Sequence, residues 1–208
     1  SSVVADAGLD AACQAMESLW SVRSTAESEQ AAWAGLDMAI EHLGPAVQSG
    51  GEASLAGMLV GSHLAGRSIN LTTTTAPHAL SYGLTSLLGM PHGRAVALLF
   101  GEVFRRTFSL TPDECSHPLG VDFVRQRLDD IAHRWGQTCE SFPDGWASFL
   151  QDRLGICPSI AKLEPHQIDQ LTASVNATRL ANHPRAFTSH EIRKIYESLF
   201  ETTPQPCP

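Results

Sequence analysis

The sequence predicts an all-α fold, a helical bundle of about eight or nine helices. Apolar residues recur at three- and four-residue spacing through most of the chain, and Ser, Thr, Asp, Pro and Gly mark where such segments start and stop. No two segments alternate apolar and polar residues as paired strands would. The connections are short, which suits neighbouring helices packed around one core. One helical domain over 1–203, followed by a flexible tail at 204–208, is the expected organisation.

Taken in order, the first helix is expected at 6–21, with Leu9, Cys13, Met16 and Trp20 on one side, Asp6 as its cap, and Asp10 and Gln14 one turn apart on a polar face. Residues 24–27 read as a capping box, and Ala32, Leu36, Ala39, Ile40 and Leu43 then form a stripe that stops at Gly44 and Pro45. A third helix at 52–68 carries small residues suited to close packing. The threonine-rich stretch 70–77 has no strand to pair with and reads as an extended loop leading into a helix at Pro77 that ends at Gly89. Pro91, His92 and Gly93 form a turn, and 94–108 is apolar enough to lie at the centre of the bundle. Amphipathic helices follow at 120–135, 145–154, 165–175 and 189–200, the last with a Thr188/Glu191 capping box.

The chain has 208 residues and a net charge of -8, which argues against a nucleic-acid backbone or an anionic membrane as the main partner and favours a small-molecule substrate. No apolar run reaches the roughly 18 residues of a membrane span, and 1–10 lacks the pattern of a signal peptide, so a cytoplasmic location is expected. The five cysteines have no C-x-x-C spacing and read as reduced structural thiols. Glu17, Glu27, Glu29 and the group Arg125, Arg127, Asp129 and Asp130 read as solvated helix faces.

The stretch 75–93 is the richest in chemistry. His78 lies just inside a helix start and His92 opens the next helix, so both imidazoles can be aimed at one point. Asp10, His78 and His92 form a carboxylate and imidazole set of the kind that holds a divalent metal, and Gln14 adds either a neutral carbonyl ligand or a hold on metal-bound water. Residue types alone leave the alternatives open: structural histidines, a first-turn carboxylate and an ordinary polar face.

Segments 7–18, 77–82 and 89–93, with Gly66 to Asn70 and Thr74 to His78 leading into the first histidine, resemble the metal-binding helical domain of the iron-containing (group III) alcohol dehydrogenases. The wording is closest to the phosphonoacetaldehyde reductase-like branch, and the resemblance extends to Asn182–Arg185, Glu191 and Tyr196. It implies a dehydroquinate synthase-like helical domain in which Asp10, His78 and His92 bind iron or zinc. Gln14 stands where the family usually has a fourth, histidine ligand, which puts metal identity and occupancy in question. Tyr82 stands where a second histidine often lies near substrate and nicotinamide, and it is the candidate catalytic group, as hydrogen-bond donor or proton relay.

The family also carries a nucleotide-binding domain with a Gly-Gly-Gly-Ser loop, and no such loop is present here, so NAD(P) is expected only from another domain or chain. The chain thus corresponds to the second domain, whether as a fragment, a split subunit or a stand-alone domain; a homo-oligomer is also compatible. The first functional expectation is the metal and substrate domain of an oxidoreductase that reduces a small aldehyde, possibly phosphonate-bearing. The alternatives are a cofactor-free lyase, isomerase or cyclase in a remodelled pocket, and a non-catalytic binding partner. Arg67, Arg94, Arg185 and Thr74 are candidates for an anionic substrate group.

Overall fold

The computed structural model describes residues 1–160 and 163–201. Among them are ten α-helices and no strand, apart from one isolated bridge between Cys115 and Arg185. The helices are α1 (Ser2–Trp20), α2 (Ala26–Gln48), α3 (Glu52–Thr72), α4 (Ala76–Leu88), α5 (His92–Phe108), α6 (Gly120–Arg134), α7 (Phe142–Ser148), α8 (Pro165–Ser174), α9 (Ala177–Leu180) and α10 (Ser189–Glu201). A 3₁₀ turn at Pro112–Glu114 precedes α6, and α7 runs on as a π-helical turn over Phe149–Arg153. The all-α expectation is met; the expected tail at 204–208 lies outside the described residues. No described helix is long and apolar enough to cross a membrane.

Helix α1 is the hub, packing against α2, α3, α5 and α6. Its apolar stripe, Leu9, Cys13, Met16 and Trp20, is wholly buried, and Trp20 stacks on Phe100 of α5. The small residues of α3 allow the close approach the sequence implies: a Cβ on Gly35 would lie 3.0 Å from the Ala65 backbone nitrogen, and one on Gly61 would lie 2.8 Å from Met38. Helix α5 is buried along most of its length, with Val96, Leu99, Phe100, Val103 and Phe104 all inaccessible to solvent.

Several expected boundaries are corrected. Helix α1 begins at Ser2, and Asp6 caps nothing; its carboxylate pairs with Arg94. The capping box of α2 is one residue later than expected, made by Thr25 and Ser28. Helix α2 runs through Pro45 to Gln48, because burial of Leu43, Gly44 and Ala46 outweighs one lost backbone hydrogen bond in the last turn. Helix α3 extends to Thr72, leaving only 73–75 as the linking loop, and α9 was not foreseen. Gly89 ends α4 as expected, in the left-handed conformation at φ 68°, with the Met90 N–H reaching back to the Leu84 carbonyl. The Thr188/Glu191 capping box is present at α10.

Candidate metal and substrate site

Three elements converge where α1, the start of α4 and the start of α5 meet. Asp10 comes from the middle of α1, His78 from the first turn of α4, and His92 is the first residue of α5. One ligand atom from each lies within 4.8 Å of the other two. His78 Nε2 is 3.1 Å from Asp10 Oδ1, and His92 Nε2 is 3.7 Å from the same oxygen. Gln14, one turn beyond Asp10, donates its amide N–H to Asp10 Oδ2 at 2.8 Å, so in this arrangement it steadies the carboxylate.

The close approach of α5 to α1 depends on Gly93. A Cβ there would fall 1.8 Å from the Asp6 carbonyl oxygen and 3.1 Å from Asp10 Cβ. Only glycine lets the backbone beside His92 reach the turn that carries Asp10. The pairing of Arg94 with Asp6, at 3.1 Å, fastens the same junction on its outer side.

Behind the three groups lies a residue expected in water. Glu17, read as part of a solvated face, is fully buried. It accepts hydrogen bonds from the Thr75 backbone N–H at 2.6 Å and the Thr75 hydroxyl at 2.8 Å, and its other oxygen lies 2.5 Å from His78 Nδ1. Thr75 in turn accepts from the Trp20 indole at 2.9 Å. A chain of bonds therefore runs from the aromatic core through Thr75 and Glu17 to His78, which fixes the imidazole with Nε2 toward Asp10. A carboxylate behind a ligating histidine raises its basicity and sets its tautomer. The signal for Glu17 was present: residues 10, 14 and 17 are spaced i, i+4, i+7 and share one helix face.

The electrostatics follow from this geometry. Burial alone would lower the His78 pKa, but Glu17 and Asp10 outweigh it and push it up to about 9. His92 goes the other way: burial and the neighbouring His78 lower it by more than Asp10 and Glu17 raise it. The Ser81 hydroxyl donates to the His78 carbonyl at 2.8 Å and lies 3.5 Å from His92 Nδ1, which leaves His92 Nε2 facing Asp10. Burial, Glu17 and Asp10 all raise the Cys13 thiol well above its usual range. One carboxylate and two imidazoles, one of them backed by a second carboxylate, fit a divalent cation.

Tyr82 joins this site. Its ring stacks on His92 with centroids 5.5 Å apart, and it is partly exposed, so it borders the opening rather than filling the core. Arg179 lies over the tyrosine ring, 4.4 Å from its centroid, and donates to the phenol oxygen.

The remaining anion candidates are dispersed. Arg94 is engaged with Asp6, and Arg67 borders a small groove with Glu27, Ala31 and Asn70, away from the histidines. Arg185 is committed to Glu114, Glu191 and the Arg106 carbonyl. Thr74 lines a cleft with Arg23, Arg179 and Asn182.

Comparison with known proteins identifies the family. The family described as "Fe-containing alcohol dehydrogenase family, C-terminal" matches residues 4–200. A phosphonoacetaldehyde reductase of Streptomyces viridochromogenes is 36% identical over 131 residues, which are 62% of this chain and 33% of that protein. The structure of a sulfoacetaldehyde reductase from Bifidobacterium kashiwanohense in complex with NAD+ superposes with a TM-score of 0.82 at 25% identity, over 97% of this chain and 51% of that one. An iron-containing alcohol dehydrogenase from Thermotoga maritima gives 0.74 at 27% identity, over 92% and 48%. The chain thus spans a third to a half of these relatives' lengths. Matched along nearly its whole length, it belongs to the Fe-containing alcohol dehydrogenase family and carries that family's C-terminal helical domain.

Proposed function

We propose that this chain is the metal- and substrate-binding part of a reductase that takes a small aldehyde to its alcohol, with hydride from a nicotinamide held by a separate nucleotide-binding domain. The convergence of Asp10, His78 and His92, with Glu17 locking His78, is the observation that carries the reading. These three residues would hold a divalent cation, whose contribution is Lewis-acid polarisation of the carbonyl. Gln14 keeps Asp10 in its rotamer, and its amide oxygen is a neutral fourth donor if the side chain turns.

The chain's own groups account for orientation and protonation. Tyr82, at the edge of the site, already accepts from Arg179, so its own O–H is available to donate to the substrate oxygen. The stacked His92 ring keeps that phenol beside the site. Two relatives are named for aldehydes that carry an oxyanion, which supports a substrate of the same class here. A cofactor-free lyase, isomerase or cyclase, or a scaffold without chemistry, finds no comparable support.

The test is reduction of phosphonoacetaldehyde by NADH or NADPH, with the chain joined by a nucleotide-binding domain and supplied with Fe(II) or Zn(II). The reading expects turnover that His78→Ala and His92→Ala abolish. Metal-independent turnover, or none with any anionic or neutral small aldehyde, contradicts it.

A further inference from the structure

We propose that Arg179 and Arg23 form an oxyanion subsite, next to Tyr82, that takes the phosphonate or sulfonate end of the substrate. The proposal rests on the reductase reading and adds to it the group that selects among aldehydes. Its ground is a cleft of about 590 Å³ bordered by Arg23, Thr73, Thr74, Thr178, Arg179 and Asn182, with no acidic residue in its lining. In a chain of net charge -8, most described arginines are neutralised by a carboxylate; neither Arg23 nor Arg179 is. Two unneutralised guanidiniums facing one cleft, with threonine hydroxyls beside them, suit a tetrahedral oxyanion.

The cleft is built rather than incidental. Asn182 is buried and donates its amide N–H groups to the carbonyls of Thr72, Thr73 and Thr74, at 2.7, 3.2 and 3.0 Å. This clasp holds Thr73 at φ 60°, a conformation that a β-branched residue adopts only under constraint. The next residue, Thr75, carries the hydrogen bonds to Glu17. The loop that floors the cleft is therefore the loop that positions His78.

Arg179 supplies the connection from the other side. Its guanidinium lines the cleft and lies over Tyr82, which stacks on His92, so Arg179 and Tyr82 link the cleft to the metal-type site. One N–H of Arg179 is spent on the phenol, and the remaining donors are left for an oxyanion. A small molecule with a carbonyl at one end and an oxyanion at the other would be held at both. A neutral aldehyde would be held at one.

Calorimetric titration of the Zn(II)-loaded chain tests this with three probes: 2-hydroxyethylphosphonate, methylphosphonate and inorganic phosphate. Arg179→Ala is expected to weaken 2-hydroxyethylphosphonate about 10- to 100-fold, with Arg179→Lys retaining part of the affinity and Arg23→Ala showing a smaller loss. Methylphosphonate reports on the subsite whether or not metal is bound, and its dependence on Arg179 supports the assignment. Undiminished binding of both phosphonates to Arg179→Ala overturns it, provided circular dichroism shows the variant folded. If inorganic phosphate binds as tightly as 2-hydroxyethylphosphonate and removal of zinc changes neither, the cleft serves a phosphate unrelated to the substrate, and the assignment also fails. Zinc content, measured in the same samples, reports separately on the reductase reading.

Discussion

The Glu17 carboxylate lies 2.5 Å from His78 Nδ1, and both side chains are cut off from solvent. Glu17→Gln tests what that contact does. An amide cannot accept from both Thr75 donors and from His78 at once, so one buried donor loses its partner. Stability should fall by about 1–3 kcal/mol. Zinc affinity should fall about 10- to 100-fold, because the imidazole loses the group that orients it and raises its basicity. Chemical denaturation and competition with a chelator measure the two effects.

Gly93→Ala should separate α5 from α1. The added methyl meets the Asp6 carbonyl, a backbone atom that cannot swing aside. Overpacking of this kind costs about 1–3 kcal/mol, and the shift would carry His92 away from Asp10. The variant should melt lower and bind metal more weakly than Gly66→Ala, a control where an added Cβ meets nothing within 4 Å.

His183 makes stability depend on pH. Burial first, and then Arg185, lower its pKa to about 3. Its Nε2 is 3.0 Å from the Thr107 hydroxyl, whose proton goes to the Val103 carbonyl, and Nδ1 has no partner. The folded protein thus keeps this imidazole neutral, while the unfolded chain takes up a proton below about 6.5. The unfolded state binds more protons between those values, so stability falls as pH drops from about 6.5 toward 3, with a loss of roughly 2 kcal/mol by pH 5. Urea unfolding at pH 7 and pH 5 should show this loss in the wild type, and a smaller one in His183→Gln.

Gln14→His places a nitrogen donor one turn from Asp10, on the face that already points at His78. Imidazole is a better ligand for zinc or iron than an amide oxygen. Metal affinity should rise on the order of tenfold, since the other ligands are in place. Competition titration measures it, and an unchanged affinity would mean that position 14 does not reach the metal.

Much of this was legible in the sequence because it rests on local rules. Helical spacing gave the buried stripe of α1, Gly89 the end of α4, and Thr188 with Glu191 the start of α10. The joining of Asp10, His78 and His92 was expected from residue types and resemblance together. Glu17 was misplaced because composition rules put a lone glutamate in water, and only the tertiary approach of Thr75 and His78 supplies the donors that let it be buried. Pro45 was read as a stop because its effect is local, whereas the burial that overrides it is not. Arg94 was read as a substrate anchor for want of its partner, Asp6, which lies 88 residues away in sequence. The contact of Arg179 with Tyr82 is of the same kind, since the two are 97 residues apart in sequence.

We propose that Asp10, His78 and His92 bind one divalent cation. Metal analysis after loading with Zn(II) or Fe(II) and desalting tests it most directly. The wild type should retain about one equivalent, and Asp10→Ala, His78→Ala and His92→Ala little. A folded wild-type chain that retains no metal, or variants that retain as much as the wild type, would contradict it.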